Sequence, residues 1–495
     1  MRTALPPRTL DLPPIAEVVL DTQCRDELIP ILAGLQALYA DAATRERMLA
    51  LIAQDVNGQA SAQRGRPGLR YWEILVLAAV RLGCHLDYDK LQDLAANHQT
   101  RRRIMGVGTW QDDLPPAERR LDWRRLRDNV CLVRPATLEQ LNAAIVQLGH
   151  QLDPEAVKEV RGDSFVVDTN IHYPTDANVL VDGLRKITQL CAALAMLLGL
   201  PGWRQSRQLQ RRFKHLLRCS NVACKSKKAG AETRRRRAYQ PLLKLARRLL
   251  RRARTLLAHA QAHGGIVPAA ELTARCLELQ RYVDLTEQVA ENGRRRVVLG
   301  ESVPNSEKIF SVFEPHTELV NRGKAPHAIQ FGRRVLVLED RVGFLVHDAV
   351  SARGVQDADL AQSLLQQAQE KCGNRIEAAS FDRGFHSPAN QEELAKLVAS
   401  PCVPVRGCRQ EARQQAEATA EFKEQRRRHP GVEAAIHGLQ AGNGLERCRD
   451  RTEQGLERYV GLAVLGRNLQ VLGKLVLAKA DPDCLASQHQ RQRAG

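Results

Sequence analysis

Between about Thr175 and Gly300 the chain carries almost no strand pattern, while short runs of β-branched and aromatic residues stand on both sides of that stretch. A sheet drawn from both sides must join strands separated by more than a hundred helical residues, so the stretch reads as an insertion between strands. On the near side, Ser164-Phe165-Val166-Val167-Asp168-Thr169-Asn170 predicts a short buried strand with the Asp168 carboxylate where it emerges. On the far side, Lys308–Phe313, Ile329–Leu338 and Gly343–Val346 predict an antiparallel meander, punctuated by Gly323 and Pro326 and then by Asp340-Arg341. A helix over Ala358–Lys371 leads into a strand that ends at Asp382; Ser387-Pro388 opens a helix over Ala389–Val398, and Cys402–Val405 is a last short strand. The charged helical stretch Glu411–Arg428 runs into Gly431-Val432-Glu433-Ala434-Ala435-Ile436, and a final helix over Tyr459–Ala478 has a strong apolar face.

Charge is concentrated inside the insertion. The 495 residues hold 74 Lys and Arg against 56 Asp and Glu, a net charge of +18 and a pI near 9.7, which points to a polyanionic partner. Residues Arg204 to Arg254 hold 19 Lys and Arg against the single acid Glu232, so this segment alone carries the excess of the whole chain. Within it Tyr239, Leu242, Leu243, Ala246, Leu249, Leu250, Ala253, Leu256 and Leu257 keep a helical period, and Arg247, Arg248, Arg251, Arg252 and Arg254 fall mostly on the other face. A solvated face normally mixes signs; this one predicts a basic surface laid on nucleic-acid phosphates, with Arg234, Arg235, Arg236 and Arg237 extending it. Its apolar face has few large aromatics, which disfavours a membrane-surface helix.

No apolar run behind basic residues opens the chain, and the longest apolar stretch, Leu190–Leu200, is too short to cross a bilayer, so a cytoplasmic protein is expected. The 12 cysteines are scattered; the close pairs Cys219/Cys224 and Cys402/Cys408 lack the spacing of a structural zinc site. Residues 1–60 predict a helical segment, with Gly58–Gly68 as a linker or turn, and 61–155 an all-helical module. With Arg101-Arg102-Arg103, Arg119-Arg120 and Arg124-Arg125, that module reads either as a DNA reader of helix-turn-helix type or as a plain bundle with a basic rim. The remaining chain divides into a catalytic domain over 156–480, interrupted at about 175–300 by the insertion, and a disordered tail over 481–495.

Three acids on two strand ends and a helix, Asp168, Asp382 and Glu433, are the ligand types a pair of divalent ions needs for in-line attack on a phosphodiester. They are separated by 214 and 51 residues and fall in the order of an RNase H-like core: an α/β fold whose mixed sheet is flanked by helices, with the first strand central and the second acidic strand its neighbour. Asp163, Asp176, Asp340 and Asp348 are rival acids, Asp176 as a supporting group; Asn170 and His172 stand just past Asp168.

Three separated motifs then resemble those of bacterial insertion-sequence DDE transposases, most closely the ISNCY group. Asp168-Thr169-Asn170-Ile171-His172-Tyr173-Pro174-Thr175-Asp176-Ala177-Asn178 looks like their first-aspartate motif, and Phe381-Asp382-Arg383-Gly384-Phe385 like their second. Arg428-His429-Pro430-Gly431-Val432-Glu433-Ala434-Ala435-Ile436, with Gly444-Leu445-Glu446-Arg447 and Gly466-Arg467-Asn468-Leu469, resembles their glutamate region, and Gly323-Lys324 before Phe331-Gly332-Arg333-Arg334-Val335 fits the same families. The likeness runs over about residues 60 to 475. Where related families place an arginine four before the glutamate and a lysine seven after, this chain has His429 and Gln440, leaving Arg427, Arg428 or Arg447 to grip the terminal phosphate.

The resemblance implies that Asp168 bridges two Mg²⁺ or Mn²⁺ ions and that Asp382 and Glu433 hold one each. It implies double-stranded DNA as partner, bound by the arginines of the insertion together with Lys324, Arg427 and Arg428; the protein would cleave its element's terminal inverted repeats and join the 3′ ends to target DNA. Such an enzyme works as a dimer or higher on DNA, on the bacterial nucleoid and without a membrane. A nuclease or resolvase of the same core that does not rejoin, and a DNA-binding protein with a dead site, are the alternatives.

Overall fold

A computed structural model of the chain describes residues 2–7, 10–24, 26–58, 68–115, 118, 121–226, 228–262, 269–321, 328–405 and 411–480. The Gly58–Gly68 turn (but for its ends), Arg119, Arg120, the Gly323-Lys324 turn and the tail from Asp481 lie outside them. The fold is mixed α/β, 63% helical, with a mixed sheet of seven strands flanked by helices. The chain forms two compact units, Met1–Asp168 with Arg333–Gly495, and Thr169–Gly332.

In the first unit the described residues before the first strand form the α-helices α1 (Leu28–Ala40), α2 (Ala42–Asn57), α3 (Tyr71–Gly83), α4 (Tyr88–Asn97), α5 (Gln99–Ile104), α6 (Trp123–Val130) and α7 (Pro135–Leu152). β1 (Glu159–Thr169) follows and is longer than its apolar run, because Glu159, Arg161 and Asp163 alternate with buried Val160 and Gly162 at its start. Phe165, Val166 and Val167 are all buried, as in a strand covered on both faces. The second unit begins at the end of β1 and contributes α8 (Asp176–Leu197), α9 (Ser206–Lys225), α10 (Ala231–Ala262), α11 (Ala269–Gly293) and β2 (Glu318–Asn321). These helices enclose a core of their own, built on Leu180, Leu184, Phe213, Leu242, Leu249, Leu279 and Val283.

β3 (Ile329–Asp340) starts in the second unit and ends in the first, where it turns into β4 (Leu345–Val350). The turn is tied by Asp340, whose Oδ1 accepts from the backbone N–H of Val342, Gly343 and Phe344 while Oδ2 meets buried His150 Nε2 at 2.8 Å. Then come α12 (Ala361–Lys371), β5 (Ala378–Phe381), α13 (Pro388–Leu397), β6 (Ser400–Cys402), α14 (Glu411–Ala418), α15 (Ala420–Arg428), α16 (Gly431–His437), β7 (Arg447–Cys448) and α17 (Glu453–Ala480). The strand order is β2-β3-β1-β5-β6, with β4 on β3 and β7 on β1; β1–β5 and β5–β6 are parallel, β2–β3 and β3–β4 antiparallel.

Several expectations are corrected. Lys308–Phe313 is not a strand: Ser311 Oγ accepts from the backbone N–H of Phe313 and Glu314 and bends the chain. The strand expected at Cys402–Val405 is Ser400–Cys402, and it is not the last, since Arg447–Cys448 follows. Residues 1–60 and 61–155 do not stand apart as modules, since α1, α3 and α7 share one hydrophobic core with the sheet and α17. Within that core Arg101 and Arg102 are buried, Arg102 paired with Asp112 at 2.9 Å, so they form no basic rim. α17 is long and apolar enough to cross a membrane, but its stretch Gly455–Gly473 is largely buried against α1, α3 and α7.

Candidate active site

The register of β1 against β5 decides which acids meet. Glu159 pairs with Ala378, Val160 with Ala379, Arg161 with Ser380 and Gly162 with Phe381. Asp382 continues β5 in extended backbone (φ −71°, ψ 164°), so one further step sets Asp163 level with Asp382, on neighbouring strands about 4.8 Å apart. Paired residues of parallel strands project to the same face. Asp168 lies five residues further along β1, about 16 Å away along the strand, and an odd separation turns its side chain to the opposite face. The structure therefore does not bring Asp168 to Asp382; the backbone N–H of Asp168 donates instead to Glu446 O at 3.1 Å, where β7 joins β1.

Glu433 arrives from the other side. α16 is short and anchored by buried Val432, Ala435 and Ile436, which leaves Glu433 exposed on its outer face. Just before it, His429 Nδ1 lies 3.1 Å from Ser380 Oγ on β5. Burial lowers the His429 pKa from its ordinary value, Arg161 lowers it further, and Asp382 and Glu433 pull it upward, so the ring sits within the field of both carboxylates. Arg161 fixes the start of this helix: it donates to Arg428 O at 3.1 Å and to Glu339 Oε2 at 2.7 Å, and its guanidinium fills the space a side chain on Gly431 would need. Gln440, further along, donates to Val166 O at 3.5 Å. The segment 431–440 thus tracks β1 from Arg161 toward Val166, with Glu433 near its Asp163 end.

Among the described residues no group of three or more His, Cys, Asp or Glu side chains closes around a single point. The donor chemistry here is nevertheless carboxylate oxygen, which suits a hard divalent ion such as Mg²⁺ or Mn²⁺.

The other acids are engaged elsewhere. Asp340 is consumed by its turn and by His150, and burial pushes the Asp348 carboxyl up to about 6. In the helical unit Asp176 pairs with Arg296 at 2.9 Å, Asn170 is exposed, and His172 Nε2 meets Asp182 at 2.5 Å. Burial opposes the charge on His172, but the bond to Asp182, the bond to the Tyr173 carbonyl and the Asp182 charge together outweigh it and raise the pKa.

The predicted basic surface is present: Arg234, Arg235, Arg236, Arg237, Arg247, Arg248, Arg251 and Arg252 are all exposed on α10, opposite its buried leucines. Arg234 and Arg235 are partly spent on Ser226, Lys228 and Cys224. Arg428 is held between Glu159 (2.6 Å) and Glu424 (2.7 Å), and Arg427 lies 3.6 Å from Glu424, so neither is a free cation for a terminal phosphate. Lys324 lies outside the described residues.

Sequence reasoning named Asp163 only as a rival and Arg161 not at all. The available signal was the alternation Glu159-Val160-Arg161-Gly162-Asp163, which extends the strand backwards from its apolar run. Comparison of the chain with family models, with curated proteins and with solved structures finds no match.

Proposed function

We propose that the chain is a DNA transposase of the DDE type, with Asp163, rather than Asp168, as its first acid, and Asp382 and Glu433 as the second and third. The observation that carries this reading is the register of parallel β1 and β5, whose last pair, Gly162 with Phe381, stands directly before Asp163 and Asp382, with the Glu433 helix entering beside them through Arg161 and His429. The strand order supports it, because β1 is central and the second acidic strand is its neighbour, as in an RNase H-like core.

Asp163 and Asp382 would hold divalent ions and Glu433 would complete the oxygen set. Bound there, such ions supply Lewis-acid activation of an attacking water or 3′-hydroxyl and stabilisation of the leaving oxygen. The chain's own part is to hold three carboxylates on rigid elements. Arg161 keeps the Glu433 helix against β1, and burial lowers the pKa of His429 beside the carboxylates. The arginine surface of α10 supplies salt-sensitive, sequence-independent hold on DNA phosphates.

The test is a cleavage assay in Mg²⁺ on DNA carrying the ends that flank the gene. Nicking by the native chain is expected at those ends, with a loss of a hundredfold or more in Asp163→Asn, Asp382→Asn and Glu433→Gln, and near-native activity in Asp168→Asn. Loss in Asp168→Asn with activity retained in Asp163→Asn would overturn the assignment. Binding without cleavage in either Mg²⁺ or Mn²⁺ would leave a DNA-binding protein, and cleavage without joining a nuclease.

A further inference from the structure

We infer that the helical unit contains a built phosphate-binding cleft, formed by Arg204, Arg212, Arg248 and Arg252 around Trp203, and that it grips the phosphodiester backbone of DNA. The inference rests on the reading of the chain as a DNA-acting protein, and not on its cleavage chemistry.

The cleft, about 450 Å³, lies where the α8–α9 loop meets α9 and α10. Its lining includes the four arginines and Gln208, and no acid. All four arginines are exposed, and among the described residues none of them makes an ion pair. By contrast Arg254 of the same unit pairs with Glu287, Arg275 with Glu271, Arg294 with Glu291 and Arg295 with Glu301. Uncompensated guanidinium groups gathered in one concavity repel one another, and an anion relieves that repulsion.

The cleft is also shaped. Arg248 and Arg252 stand one turn apart on α10, as do Gln208 and Arg212 on α9, so two helical faces present donors toward the same space. The loop between Leu198 and Gln205 inserts Trp203, only 7% exposed, in the left-handed backbone region (φ 57°), unusual for a side chain of that size. The Arg252 guanidinium lies over the indole, 4.5 Å from its centroid, which fixes the plane of its fork. A planar fork held in place matches the paired oxygens of a phosphate.

An extended polyanion is favoured over a compact ligand or an acidic peptide. The cleft opens onto α10, whose 32 residues span about 48 Å and continue the row of exposed arginines through Arg247 and Arg251 to Arg234–Arg237. Repeated charge over such a length fits a phosphodiester chain.

The test measures binding of the full chain to a random-sequence 20-base-pair duplex by fluorescence anisotropy over a range of salt. The native protein is compared with Arg248→Ala/Arg252→Ala, Arg204→Ala/Arg212→Ala, Trp203→Leu and a control pair, Arg275→Ala/Arg281→Ala, on the mixed-sign face of α11. Each cleft pair should lower the slope of log K against log salt by about one for each phosphate no longer neutralised, and the control should leave it unchanged. Trp203→Leu, which removes no charge, should weaken binding by releasing Arg252. Equal losses in cleft and control pairs, or no effect of Trp203→Leu, would mean a diffuse positive field and overturn the cleft. Two competitors identify other occupants: pyrophosphate displacing DNA far better than sulfate at equal ionic strength would assign the cleft to a free phosphate compound, and polyglutamate displacing it at concentrations matching DNA would assign it to an acidic peptide. Either result overturns the DNA assignment. Cleft-dependent binding without any Mg²⁺-dependent cleavage would sustain the cleft and remove only the catalytic reading.

Discussion

Arg161 is the residue on which most of the candidate site turns, because it joins β1, β3 and the segment that delivers Glu433. Gly431 leaves room for its guanidinium, and Gly431→Ala would drive a methyl group into that guanidinium while Glu339 holds it from the other side. The expected outcome is about 1–3 kcal/mol of lost stability in urea unfolding and a tenfold or greater fall in cleavage, since Glu433 moves with the helix start. Glu339 sets a separate pH dependence. Burial pushes its carboxyl up to about 7 despite the opposing pull of Arg161 and Arg467. In the unfolded chain it ionises at an ordinary glutamate value, so as pH rises the unfolded state loses the proton first and stability falls between about 4.5 and 7. Replacing it by glutamine should remove that slope. The stability of Glu339→Gln relative to the native chain should therefore rise across this window by up to about 1.4 kcal/mol per pH unit, as read by urea unfolding at a series of pH values.

Among the elements, α17 is held by close backbone approaches. Gly466 approaches Gly83 of α3, and a side chain at Gly473 would run into the carbonyl of Pro30 on α1. These close approaches let an apolar helix that would fit a bilayer lie instead in the middle of the first unit, with Asn468 bonding Leu345 N and O on β4. Gly466→Ala should cost about 1–3 kcal/mol in urea unfolding, because the backbones cannot separate without opening the shared core. α10 obeys a different rule. Its leucines build the core of the second unit and its arginines face solvent, so Leu249→Ala should destabilise that unit by about 2–5 kcal/mol while leaving the arginine surface in place, visible as lost helical signal before any change in the salt slope of DNA binding.

For the whole molecule, the first and last thirds of the chain make one unit and the middle third another. A chain ending at residue 452 would deprive α1, α3 and α7 of the helix they pack on, and should fail to give a cooperative unfolding transition, measured by circular dichroism against the full chain. The charge asymmetry belongs to this scale too, since a chain of pI near 9.7 carries its excess within a single run of the second unit.

Period and composition by themselves determined the kinds of element and their order. The helical insertion, the amphipathic α10 with its arginine face, the strand ending at Asp382 and the helix of Glu433 all follow from local pattern, because burying one face of a helix or strand leaves a repeat in the sequence. The tertiary structure decided which residues meet. An acid at the end of an apolar run marks Asp168 as the end of the buried segment, but the neighbour of Asp382 is set by register, and register is a pairing of distant strands with no local trace. For the same reason Arg101 and Arg102, basic on paper, are core residues, and Arg428 is spent on Glu159 and Glu424. Charge type is written in the sequence, but whether a charge is free depends on what folds against it.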